Sequence, residues 1–249
     1  MKRLIYSINL KRIGYLLGLT TTTLLNIISP GRAQVDFLPT PPDQGAPTGR
    51  QRGGATRGSC INHQGLTALI PEIDGAVWSK TTSATPDFFF YLPNALDSDT
   101  SLELVIQAQD DSYVFRKVFS INTSPGILLI PISSDMGGLE PEMSYAWTFS
   151  IYCDAARPSA SVSVSGTIKR TVDTAILSTD TELAPQALYD LAKTYAAEGI
   201  WHEALSLMTE LHSTEPDNVD YRSALESLFA QAGLSDISPS TPIISPSDF

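Results

Sequence analysis

The sequence predicts a mainly β protein with a helical C-terminal part: an immunoglobulin- or fibronectin-like antiparallel β-sandwich followed by a three-helix module. Three observations carry that expectation. From Tyr145 the chain alternates strictly, with Tyr145, Trp147, Phe149, Ile151 and Cys153 on one face and Ala146, Thr148, Ser150 and Tyr152 on the other. Successive side chains of a strand point to opposite faces, so this is a strand with one large apolar face buried. Residues 60–172 hold further short runs of that kind separated by turn residues, and after residue 184 the apolar period becomes helical.

The elements follow in order. Leu66 to Ile70 is stopped by Pro71 and Asp74-Gly75, and Ala76 to Lys80 comes next. Asp87 to Leu92 ends at Pro93-Asn94, and Leu102, Leu104, Ile106 and Ala108 alternate with Glu103 and Gln107. Asp110-Asp111-Ser112 reads as a hairpin turn into Tyr113 to Phe119. Gly126 to Ile132, the central strand, and Val162, Val164 and Ile168 complete the set. The lead-in Leu139-x-Pro141-x-x-x-Tyr145 resembles the tyrosine corner of immunoglobulin-like sandwiches, in which a Tyr bonds back to upstream backbone.

Residues 173–183 read as a linker into a helical module over 184–233. Leu188, Leu191, Ala192 and Tyr195 form one stripe, stopped by Gly199. Trp201, Ala204, Leu205, Met208 and Leu211 form a second, ended by Pro216. Tyr221, Ala224, Leu225, Leu228 and Phe229 form a third, ended by Gly233, with Asp217 or Asp220 as its cap. The offsets of Leu191-Ala192, Tyr195, Gly199, Trp201, Ala204, Met208, Leu211 and Pro216 resemble one tetratricopeptide repeat and a half. Such repeats need about three copies to bury their faces. The helices must therefore pack on the sandwich, on a second copy or on a partner. Tyr195, Trp201, Tyr221 and Phe229 are the candidate partner-binding residues. Residues 234–249 are Ser/Pro-rich and read as a disordered tail.

The N-terminus points to export. Lys2, Arg3, Lys11 and Arg12 precede or open an apolar run from Ile13 to Ile28, and Gly31-Arg32-Ala33 has small residues where a signal peptidase cuts. Residues 1–33 read as a signal peptide; an uncleaved anchor is the alternative. The expected location is periplasmic or extracellular, with no membrane span after cleavage. Residues 34–59, rich in Pro and Gly and carrying Arg50, Arg52 and Arg57, read as a disordered linker. In an oxidising compartment Cys60 and Cys153 are expected to pair as a disulfide, two buried thiols being the alternative.

Charge excludes one class of partner. Losing residues 1–33 removes five basic residues and no acidic ones, which moves the formal charge from −11 to −16. Nucleic acids and anionic membranes both require a basic footprint, so neither is expected.

No motif announces chemistry. Cys60-x-x-His63 has the types of a nucleophile and base, but a disulfide removes the thiol. His202-Glu203 lacks the second His four positions on, where Ser206 stands, so His202 and His212 read as surface residues of a helix. Asp97-x-Asp99 and Asp110-Asp111 suit turns better than calcium, which wants six to eight oxygens. No cofactor, metal site or catalytic residue is expected. Phe88-Phe89-Phe90-Tyr91 reads as a strand buried on both sides; Phe89 and Tyr91 are the alternative, a platform for an envelope glycan.

The chain also resembles a family of secreted cyanobacterial proteins catalogued as domain of unknown function 928. The likeness rests on Arg52-Gly53-Gly54-x-x-Arg57-Gly58-x-Cys60, Leu66 to Pro71, Phe88 to Pro93, Pro125-Gly126-Ile127, Tyr145-x-Trp147-x-Phe149-Ser150-Ile151-x-Cys153 and Trp201 to Leu205. It implies secretion and a two-part architecture and carries no activity. The expected function is a secreted, non-catalytic interaction or scaffold protein of the cell envelope that binds a protein partner or itself through the helices. A glycan-binding sandwich and an enzyme without a recognisable motif are the alternatives.

Overall fold

The computed structural model describes residues 35–39, 48–54, 58–133, 137–154, 157, 159–172 and 183–246. The signal-peptide reading of 1–33, Arg57, and nearly all of the 173–183 linker lie outside the described residues.

Among the described residues ten strands form two sheets. One contains β1 (Thr67–Ala68), β4 (Asp87–Leu92), β7 (Gly126–Pro131) and β10 (Ile243–Ile244), in that order. The other runs β2 (Glu72–Ile73), β3 (Ala76–Thr81), β9 (Ser161–Arg170), β8 (Ser144–Tyr152), β5 (Ser101–Gln107) and β6 (Tyr113–Ser120). The mainly β class is therefore the one the chain adopts. The sheets are mixed rather than wholly antiparallel, because β3 runs parallel to β9 and β10 parallel to β7.

The central strand β8 pairs with β9 along its whole length and with β5 over residues 146–152, and its inward residues Trp147, Phe149 and Ile151 are at most 1% exposed. Phe88 and Phe90 of β4 meet them from the opposite sheet, with Phe90 stacked on Phe149 at 4.1 Å. The tyrosine corner is present: the Tyr145 hydroxyl accepts from the Glu140 backbone N–H at 2.8 Å. Cys60 and Cys153 form a disulfide, their Cα atoms 5.3 Å apart. It ties the short 3₁₀ turn Gly58–His63 to the end of β8.

Three helices follow: α1 (Pro185–Ala197), α2 (Trp201–Thr214) and α3 (Val219–Gln231). Pro185 stands at the start of α1, where its missing N–H costs nothing. Gly199 (φ +72°) and Gly233 (φ +76°) end α1 and α3 in left-handed geometry. The N–H groups of Ile200 and Leu234 then reach back to the carbonyls of Tyr195 and Phe229. The cap of α3 is Asn218, not Asp217 or Asp220; its side chain accepts from the N–H groups of Asp220 and Tyr221.

α2 docks on the sandwich, with α1 and α3 packed on α2. Of the three possible covers for their open apolar face, the chain uses its own sheets: α2 packs on β3 of one sheet and β4 of the other. This corrects the expectation for two residues. His202 and His212 are 2% and 7% exposed, because His202 faces the sandwich at Ser79 and Asp87 and His212 faces Arg222 and Glu226 of α3.

The flanking segments are packed as well. Val35 and Phe37 are 0% and 5% exposed, and Arg50 and Arg52 form bridges to β9 and β1. The buried Gln51 amide donates to the carbonyls of Ile70 and Ala232. Leu234 and Ile237 are buried, and β10 completes a sheet. The described parts of 34–59 and 234–249 are thus ordered, held by few but well-placed apolar side chains that composition averages away.

Candidate functional site

The first turn of α2 is where helices and sheets meet, and each of its residues has a separate attachment. The Trp201 indole N–H donates to the Leu69 carbonyl at 2.7 Å. His202 donates from Nδ1 to the Asp87 carbonyl at 2.8 Å, which leaves Nε2 to accept from the Ser79 hydroxyl at 2.9 Å. Burial holds the His202 pKa below its ordinary value, in keeping with that neutral form. Glu203 Oε1 accepts from the Thr81 and Thr82 hydroxyls and from the N–H groups of Thr82 and Ser83. A hydroxyl on an imidazole is the start of a nucleophile–base pair. Ser79, however, is 2% exposed and does not line the neighbouring cleft. The pair fastens a helix to a strand.

That cleft, of about 280 Å³, lies between the β3–β4 loop and α1 and α2, with Asp87, Tyr195, His202, Glu203 and Ser206 among its lining residues. Burial raises the Asp87 pKa; a hydrogen bond from Ser206 opposes the rise, and the Glu203 charge adds to it. Glu203 Oε2 is buried without a hydrogen-bond partner.

The other side of the same turn faces a groove, and residues 35–38 fill it. The Val35 carbonyl accepts from the Ser227 hydroxyl at 3.0 Å and from the Gln231 amide at 2.6 Å. The Gln231 carbonyl oxygen accepts the Phe37 N–H at 2.8 Å, and Leu38 N–H donates to the Ala196 carbonyl at 3.0 Å. Phe37 meets the Trp201 ring edge-on at 5.0 Å. Below it Arg52 makes a two-toothed pair with Asp236 and also bonds the Gly233 carbonyl, so the guanidinium is engaged by the chain's own tail.

The residues singled out in the sequence fall as follows. Tyr195, Trp201, Tyr221 and Phe229 are at most 7% exposed. Tyr195 lines the cleft, Trp201 joins groove to sandwich, and Tyr221 packs on Tyr189 at 5.4 Å. The four are buried within the helical layer and against the sandwich. Phe89 is 2% exposed and Tyr91 half-buried, so the pair presents no joint platform. Asp97 and Asp110 hold their own turns: Asp97 accepts from Asp99 N–H and the Thr100 hydroxyl, and Asp110 from Ser112. Cys60 is spent in the disulfide, and burial lowers the pKa of the adjacent His63. The groove and its occupant were missed. The available signal was Val35-Asp36-Phe37-Leu38, an alternating apolar tetrapeptide in an otherwise polar lead-in.

A β-sandwich closed along one side by three helices, with its own N-terminal segment laid across them, defines the class. Within that class, the chain belongs to the family described as Domain of Unknown Function (DUF928), whose model matches residues 52–242. No curated protein matches the chain.

Proposed function

We propose that this is an exported, non-catalytic interaction protein of the cell envelope, and that its helical layer is the end that meets a partner. The observation that carries the reading is the groove. Side chains of α3 hydrogen-bond the backbone of an extended segment while Trp201 packs against its aromatic residue, which is the way a peptide-recognising surface works. Export is supported by the leader-like residues 1–33 and the Cys60–Cys153 disulfide. Among the described residues no helix is long and apolar enough to cross a membrane. The resemblance of the helices to a tetratricopeptide repeat fits the same role.

The test places a photo-crosslinking amino acid in the full chain at Ala230, exposed on α3, or at Val118, exposed on the sandwich edge strand β6. Each form is exposed to the native envelope fraction. A protein partner captured from position 230 and not from 118 supports the reading. Capture from 118 alone, or from neither, overturns it.

The cleft favours a second reading, a small-molecule site. There Asp87, protonated more readily than an ordinary carboxyl, would donate to or accept from a polar ligand beside Tyr195. Asp87→Asn would abolish ligand-induced thermal stabilisation in that case and leave it unchanged if the groove alone binds.

A further inference from the structure

We propose that the groove is a binding site for extended peptides carrying a bulky aliphatic residue and, two positions on, an aromatic one, and that residues 35–38 are a tethered occupant that such a peptide must displace. The inference rests on the reading that the helical layer faces the partner, and it names the ligand class and its control.

Three features of the groove define the ligand. First, it reads backbone: the single Gln231 amide both donates to the Val35 carbonyl and accepts the Phe37 N–H, spanning two residues of an extended chain. Ser227 and the Ala196 carbonyl extend the pattern on either side. Such contacts are blind to side-chain identity, so any extended segment satisfies them. Second, selection comes from alternate side chains. Val35 and Phe37 are 0% and 5% exposed, whereas Leu38 is 60% exposed and Asp36 is also exposed. Period-two burial on a strand-like segment means two pockets, at positions 35 and 37, with the side chains between and after them turned outward. Third, the occupant is covalently attached to the scaffold that holds it. Past residues 39–47 the chain is anchored again, with Thr48 and Arg50 bonded to Val77 and Ser165.

The tether sets the control. A segment joined by a short linker competes at an effective concentration on the order of millimolar. A free peptide with the same contacts therefore binds the intact protein weakly, and a partner succeeds only with better anchors or several points of attachment. The own segment acts as a filter against casual apolar sequences, which an exported protein meets in abundance.

The test keeps the chain whole. Val35→Ala/Phe37→Ala removes both anchors of the occupant while leaving the groove intact. The probe is a fluorescent synthetic peptide of residues 34–39, read by anisotropy against the mature chain and this variant. The variant is expected to bind the probe saturably, and the mature chain more weakly by the ratio of the effective concentration to the probe's Kd, about 100-fold for a Kd of about 10 μM. Adding Gln231→Ala to the variant is expected to weaken binding by about tenfold, since two backbone contacts are lost. A probe with Ala at both anchor positions is expected not to bind. Near-UV circular dichroism and the urea midpoint establish that each variant is folded.

If the folded variant fails to bind the probe, or binds it no better than the mature chain, the proposal falls. If binding survives Gln231→Ala undiminished, the peptide sits elsewhere and the proposal falls equally. Peptide binding with partner capture only from position 118 leaves the groove chemistry standing and removes the functional reading. Capture from position 230 without peptide binding does the reverse. Where the anchor variant unfolds, Ser227→Ala/Gln231→Ala in the otherwise native chain gives the second measurement. Those changes should raise the protease susceptibility of residues 35–39, and unchanged protection would overturn the tethered-occupant assignment.

Discussion

Replacing Glu203 tests whether the helical layer and the sandwich stand as one cooperative unit. Oε1 of Glu203 accepts from the Thr81 hydroxyl at 2.7 Å, Thr82 N–H at 2.8 Å, Ser83 N–H at 2.9 Å and the Thr82 hydroxyl at 3.1 Å. In Glu203→Ala, Ser83 N–H keeps its bond to Thr81 Oγ1 at 3.0 Å. The hydroxyls can rotate towards water. Thr82 N–H has no substitute, and a stranded amide costs about 1–3 kcal/mol. Loss of charge-assisted bonds adds to this, while relief of the repulsion on Asp87 subtracts from it. The net expectation is a loss of about 3 kcal/mol. Glu203→Gln keeps an oxygen in place, gives up charge at about 1–2 kcal/mol, and sets its NH2 where Oε2 has no partner. For a chain of this size each kcal/mol moves Tm by about 2–4 °C, so the Ala variant should melt about 6–12 °C lower, in a single transition. Urea unfolding followed by Trp fluorescence and far-UV circular dichroism measures both. An Ala variant within about 1 kcal/mol of the parent, a Gln variant as damaged as the Ala one, or two separate transitions would refute the reasoning.

The remaining expectations concern other contacts. Cys60→Ser/Cys153→Ser opens a loop closed over a sequence separation of 93 and should cost about 2–4 kcal/mol by urea unfolding, the chain-entropy model setting the upper limit near 5. Tyr145→Phe removes the acceptor for Glu140 N–H and should cost about 1 kcal/mol, with no change in the disulfide. His202 supplies a pH dependence. Its folded pKa lies below the ordinary 6.5, so its contribution is complete above that pH and is lost as pH falls below it. Asp87, raised from 3.8, acts with the opposite sign: the folded state takes up its proton first, which offsets acid destabilisation in a lower window. Stability measured from pH 7.5 to 5.5 should fall, and His202→Gln should flatten the slope. The flattening is partial, because His63 and His212 are shifted in the same direction.

Regular periodicity made most of this fold legible. Alternation located β8, β9 and β5, and turn chemistry located their ends, because both depend on neighbours a few residues apart. Gly199 and Gly233 marked helix stops for the same reason: a left-handed residue is a local requirement. The parallel pairings of β3 with β9 and of β10 with β7 were not legible, since register between distant strands depends on the whole packing. His202 illustrates a different limit. A polar residue beside the apolar stripe reads as exposed unless its partners are known, and here they are Ser79 and the carbonyl of Asp87, more than a hundred positions away. Gln51 and Gln231 were invisible for the same reason, because an amide's role is recognisable only from the carbonyls and N–H groups it meets.

The placement of groove and cleft explains why one turn of helix carries so much of this structure. Consecutive residues on a helix point about 100° apart, so Trp201, His202 and Glu203 can be engaged together only where a helix end is surrounded. The N-terminus of α2 meets that condition. Leu69 lies at the Trp201 N–H, Ser79 and Asp87 flank His202, and residues 81–83 surround Glu203. A carboxylate in the first turn is also favoured by the helix dipole. The Trp201 indole bonds the sandwich through its N–H while its ring meets Phe37, whereas His202 and Glu203 line the cleft. Any displacement of residues 35–38 therefore uncovers a side chain that is itself bonded to the sandwich. A partner entering the groove would be felt at Leu69 and, through the neighbouring residue, at Asp87.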